Sequence, residues 1–215
     1  MLKIALYVIS TLGVAPSLVF AAEPIDLNEK SYKTKLGIIM TQVNWGRSWK
    51  CGQFENAQLQ ALTFSKLPNG EPGEESLELG TPSRLFVDNK FLPYAYVVQP
   101  GEYFLTAFDV KVARSRTDVL HINGSQDNLI KEGKPIGGAF NVKAGEIVYI
   151  GHFGLDCGAE PFLWRYFIDG REEFEKYVAG FREKYPFVKG TPVQFRLFST
   201  KMFGGSYSLK RPTVE

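Results

Sequence analysis

The residues best equipped for chemistry sit in the stretch "EIVYIGHFGLDCGAE", residues 146 to 160, where His152 and Cys157 lie five positions apart. The chain holds two histidines, His121 and His152, and two cysteines, Cys51 and Cys157. A cysteine nucleophile needs a thiolate, a nearby base and a third group to orient the base. His152 is the base close in sequence, but on a strand it shares a face with Val148 and Ile150, the position of a core or rim residue. Zinc needs three or four ligands at short paired spacings. No CxxC or HxxxH pattern occurs, so neither a metal nor another cofactor is expected. The chain also lacks a G-x-S-x-G elbow, a phosphate-binding P-loop and a dinucleotide glycine pattern. Two carboxylates from separate strands could hydrolyse a glycoside. Asp109, Asp118, Asp156 and Glu160 are the candidates for that chemistry, and none is singled out as catalytic.

The first residues bear on what the cysteines do. Lys3 precedes an apolar, uncharged run from Ile4 to Phe20, which ends in Val19-Phe20-Ala21-Ala22 before Glu23-Pro24. A charged start, an apolar centre and small residues at the cleavage positions describe an export signal. Cleavage is expected after Ala21, with Ala22 as the alternative. Export leads to an oxidising compartment, periplasmic or secreted, where two thiols pair. A Cys51–Cys157 disulfide is therefore expected, closing a loop of roughly a hundred residues worth about 4 to 5 kcal/mol in the chain-entropy model. His152 then reads as a strand-end residue sharing a face with Val148 and Ile150. Removing residues 1–21 takes away one basic residue, Lys3, and leaves 24 basic against 23 acidic residues. That balance gives no reason to expect nucleic acid, and no second segment is apolar enough to span a membrane.

These residues must be positioned by strands. Polar residues 22–31 read as a flexible lead-in. Strands are expected in Tyr32 to Trp45, Gln58 to Phe64, Arg84 to Val87, Tyr94 to Val98 and Tyr103 to Ala113. More follow in Leu120 to Ile122, Ala139 to Val142, Glu146 to Phe153, Phe162 to Ile168 and Val193 to Phe198. Glycine, proline and asparagine turns separate them, Gly46 to Gly52 and Gln99-Pro100-Gly101-Glu102 among them. One helix is expected at about 170–185. Asp169 and Glu172 suit a capping box, and Phe174, Tyr177, Val178, Phe181 and Tyr185 fall on one stripe. Glutamates lie early and Arg182 and Lys184 late, matching the helix dipole. The fold class is mainly β: an antiparallel β-sandwich or partly closed barrel with one C-terminal amphipathic helix. Residues 32–203 form a single domain and 204–215 a loose tail.

Aromatic residues are the remaining signal, with 17 Phe, 10 Tyr and 3 Trp. Trp45, Trp49 and Phe54 surround Cys51; Phe162, Trp164, Tyr166 and Phe167 follow Cys157. Alternate members of such runs can fill a core or form an exposed platform. The candidate binding surface is Trp45, Trp49, Trp164 and Tyr166, flanked by Lys50 and Arg165.

The patterns "VVQPGEYFLTAF" (residues 97–108) and "FNVKAGEIVYIGHF" (residues 140–153) resemble uncharacterised bacterial secreted or envelope proteins with a small prealbumin-like β-sandwich. The resemblance covers about residues 82–155. It implies a sandwich fold and an envelope location and brings no catalytic residues with it. The expected function is a non-catalytic periplasmic or secreted binding protein, acting on an envelope protein or polysaccharide, with an immunity or inhibitor protein as one variant. An envelope hydrolase and a small-ligand carrier are the alternatives.

Overall fold

Residues 25–33, 35–67, 75–82, 88–158, 160–201 and 207–208 are described by the structure, a computed structural model. In chain order the strands open with β1 (Ile25–Asp26), β2 (Gly37–Asn44), β3 (Ser48–Cys51), β4 (Phe54–Ser65) and β5 (Ser76–Gly80). β6 (Phe91–Val98), β7 (Gly101–Ala113) and β8 (Val119–Gly124) lead to a short helix α1 (Gln126–Leu129). Next come β9 (Ile130–Lys131), β10 (Lys134–Pro135), β11 (Ala139–Val142), β12 (Ile147–Asp156) and β13 (Phe162–Phe167). Helix α2 (Arg171–Lys184) precedes β14 (Val193–Phe195) and β15 (Tyr207–Ser208).

The strands form two main sheets. The first has the order β1-β6-β2-β12-β13-β15, and β14 also pairs with β12. It is mixed: β2 runs antiparallel to β6 but parallel to β12. The second is antiparallel, in the order β11-β7-β4-β3, with β5 added to β4 and β8 to β7. Neither sheet closes into a barrel. Side chains alternate along each strand, so each sheet can bury one face against the other. Trp45, Leu59, Leu62, Phe64, Leu105, Val110, Val112, Phe153 and Phe198 fill the space between them. The Phe64 ring meets the rings of Phe140, Phe153 and Phe198 at 5.5, 5.4 and 5.7 Å.

A third layer covers the other face of the first sheet. Ile38, Met40, Ala95, Val97 and Ile147 on that face bury Phe181 of α2 together with Leu27 and Val188. The expected apolar stripe is thus what docks the helix, and Val178 and Phe181 are its buried residues. The expected cap is different. Gly170 (φ +87°) stands at the N-cap, with no side-chain capping bond, so the Asp169–Glu172 box does not form.

Several segments depart from expectation. Residues 25–31 are not a loose lead-in: Ile25 and Asp26 pair with Val97 and Tyr96, and Leu27 is buried. The Gly46–Gly52 turn holds a strand instead, because Gly52 (φ +60°) opens a two-residue hairpin between Cys51 and Phe54. Tyr207 and Ser208, placed in the tail, pair in parallel with Tyr166 and Phe167. The strand expected at Arg84 to Val87 lies outside the described residues, as do the export signal and its cleavage site.

The largest departure is in β12. Gly151 (φ +99°) interrupts it, and its register with β2 shifts between Tyr149 and His152. Thr41 donates its hydroxyl to the Gly151 carbonyl at 2.8 Å. The extra residue reverses the alternation, as a β-bulge does. Val148, Ile150 and Phe153 face between the sheets, whereas His152 is turned to the α2 side beside Tyr149. After Phe195 the chain crosses from the first sheet to the second. The Phe198 amide donates to the Ile150 carbonyl, and Ser199 and Ala139 exchange backbone bonds. Phe198, rather than Phe195, therefore enters the core.

Candidate binding surface

Cys51 and Cys157, 106 positions apart in sequence, are joined in a disulfide with Cα atoms 4.5 Å apart. Cys51 ends β3 on the second sheet, and Cys157 follows β12 of the first. The bridge therefore ties the edge hairpin of one sheet to the central strand of the other. The Gln53 amide donates to Glu160 at 3.3 Å across the same seam. Below it, Trp45 is completely buried, its indole N–H donating to the Tyr94 hydroxyl at 2.7 Å. Gln58 donates to the Trp45 carbonyl at 2.9 Å.

Trp49 stands out on this braced hairpin. It is 66% exposed, the most exposed large apolar side chain among the described residues. The Arg47 guanidinium lies over its ring at 5.5 Å. Lys50 is exposed and adopts φ +56°, a left-handed conformation uncommon for a lysine. That kink breaks the in–out alternation of β3: Trp49 and Lys50 both face water while Cys51 is buried. An exposed aromatic ring covered by a guanidinium, with an exposed lysine next in sequence, on a backbone held by a disulfide, is a preorganised contact point. Arg47 escaped the sequence reading; its position two residues before Trp49, on the same side of an extended chain, was the available signal.

The other proposed surface residues do not join this patch. Trp45 is core, because the chain passes from the first sheet to the second at that point and carries the ring between them. Arg165 is also buried, since it pairs with Phe153 across β12 and β13 and so faces between the sheets. Its guanidinium donates to the Phe198 carbonyl at 2.5 Å, fastening β13 to the crossing segment. Trp164 and Tyr166 lie on the opposite face of β13, half-buried, and the Tyr166 hydroxyl donates to the Leu155 carbonyl at 2.8 Å. Of the six candidates, Trp49 and Lys50 are exposed side by side, with Arg47 against the Trp49 ring.

His152 does not act with Cys157, whose sulfur is in the disulfide. Its ring is 1% exposed, at 5.5, 5.2 and 5.6 Å from those of Phe91, Tyr149 and Tyr177. Neither ring nitrogen has a hydrogen-bond partner in the structure. Burial pushes its pKa down to about 3, so the imidazole stays neutral and is too weak a base to hold a proton at ordinary pH.

The four candidate carboxylates are separately engaged. Asp109 bonds His121 Nδ1 at 2.8 Å on the outer face of the second sheet. Asp118 stands 3.7 Å from Arg114. Asp156 accepts from the Gly158 amide at 3.0 Å, and Glu160 accepts from Gln53. None of them lines either of two grooves in the surface. One, of about 610 Å³, runs beside β11 and the crossing segment, between Phe104, Ile136 and Leu197. Of its two cations, Arg196 and Lys201, the first is held by Glu146 at 2.9 Å, and that pairing keeps the Glu146 carboxyl below the usual range. The other, of about 280 Å³, lies between α2 and the first sheet. Among the described residues no cluster of three or more His, Cys, Asp or Glu could hold a metal ion. No helix among them is long and apolar enough to cross a membrane.

The chain matches no protein-family model, and no curated protein matches it.

Proposed function

We propose that this protein is an exported, non-catalytic binding protein of the bacterial cell envelope that engages another exported protein through the Trp49 hairpin. One observation carries the reading: Trp49 is two-thirds exposed between Arg47 and Lys50 on a strand anchored by Cys51–Cys157. A tryptophan left in water gains nothing for folding, whereas Trp and Arg are the residues that most often dominate protein contacts. The disulfide supports both the oxidising compartment and the rigidity of the contact point. A surface of this kind suits an inhibitor or immunity protein, which needs shape and charge complementarity and no chemistry of its own. The Arg47 guanidinium over the ring and the exposed Lys50 next to it in sequence favour an acidic site on the partner.

The test is comparative capture. The mature protein and its Trp49→Ala and Lys50→Glu variants, each shown to be folded, are immobilised and exposed to envelope extract of the source cells. A stoichiometric protein retained by the parent and lost with both variants supports the reading. Equal retention by all three, or retention of polysaccharide alone, overturns it.

A further inference from the structure

We infer that the groove between α2 and the first sheet binds a small aromatic carboxylate, independently of the Trp49 hairpin. The groove is walled by Pro93 and Ala95 on β6 and by Tyr177 and Tyr185 on α2, with Gln42 of β2 at its floor. Two lysines of α2 reach its rim. Lys176 is neutralised by Glu172 and Glu173 at 3.0 and 2.9 Å. Lys184 forms no ion pair among the described residues; its ammonium lies over the Tyr185 ring at 5.1 Å. The groove therefore offers aromatic walls and one uncompensated positive charge, which match a flat apolar body bearing a single negative charge. About 280 Å³ admits one or two fused rings and little more.

Gly180 supplies a second, independent observation. It lies inside α2 and lines the groove. Glycine is among the poorest helix formers, so an interior glycine calls for a reason. Neither usual reason holds. Its backbone is not in a left-handed conformation, and a Cβ built there would meet nothing within 4 Å. What the missing side chain does provide is room in the groove.

The probe is 2-naphthoate, with the neutral 2-naphthamide as its control, titrated into the intact mature protein by calorimetry. One equivalent of naphthoate is expected to bind, at least about tenfold more tightly than the amide, in line with one charge-assisted contact. Gly180→Leu fills the groove and abolishes binding, and Gly180→Ala raises the thermal midpoint of the ligand-free protein. Lys184→Gln brings naphthoate affinity down to that of the amide, while Trp49→Ala leaves it unchanged. Absence of saturable naphthoate binding by the parent overturns the proposal. So does binding that survives Gly180→Leu, or that shows no preference for the anion.

Discussion

The aliphatic stem of Arg165 crosses Gly151 so closely that a Cβ on the glycine would stand 3.0 Å from the arginine Cγ. It would also stand 2.9 Å from the Tyr166 carbonyl oxygen. Two costs therefore meet at one residue. The left-handed backbone penalises any side chain by about 1–2 kcal/mol, and overpacking a closed site adds about 1–3 kcal/mol. Gly151→Ala should destabilise the protein by about 2–5 kcal/mol in urea unfolding. Gly170 has a similar φ of +87°, but a Cβ there meets nothing within 4 Å. Gly170→Ala should carry the backbone cost alone, about 1–2 kcal/mol. Equal effects of the two substitutions would show that the contact with Arg165 does not matter.

The disulfide should be a large single contribution to stability. It closes a loop over 106 residues, for which the chain-entropy model gives about 4–5 kcal/mol. The Cys51→Ala/Cys157→Ala double variant should be less stable by up to that amount. Loss of partner capture should exceed loss of fold, because the bridge holds the Trp49 hairpin to the first sheet. Alkylation of the native protein without reductant should modify neither cysteine.

Much of this was legible in the chain, and the failures share a cause. The disulfide followed from compartment and count, and the helix followed from its stripe and charges. His152 was assigned to the face of Val148 and Ile150 because a regular strand puts alternate residues together. Gly151 breaks that rule by inserting one residue, and a glycine inside an apolar strand was the available warning. Trp45 and Trp49 looked equivalent beside Cys51, yet one is core and the other surface. That outcome depends on where the chain changes sheets and on the kink at Lys50, neither of which has a periodic signature.

Those two tryptophans should therefore separate stability from binding. Trp45→Ala removes a completely buried indole and its bond to Tyr94, and should cost about 3–5 kcal/mol. Trp49→Ala removes an exposed ring and should change stability by no more than about 0.5 kcal/mol. Thermal unfolding measures the first effect and partner capture the second. A large stability loss in Trp49→Ala would mean that the ring is structural and would remove the basis for the proposed contact surface.

His152 predicts a pH dependence with a defined sign. Its pKa is about 3 in the folded protein against 6.5 when unfolded, because burial among rings excludes the charged form. Between these values the unfolded chain takes up a proton that the folded chain refuses. Stability is then fully present above pH 6.5 and falls as the pH drops toward 3, by up to about 1.4 kcal/mol per pH unit. Glu146 acts in a lower window. Its pKa is depressed by Arg196, so its contribution is present above the ordinary value of 4.5 and is lost only below it. Urea midpoints measured from pH 7 down to pH 5 therefore report on His152 with little from Glu146. The parent should lose stability over that interval and His152→Gln should be nearly flat. Parallel slopes in the two proteins would mean that His152 is solvated or bonded in solution and would sink the assignment.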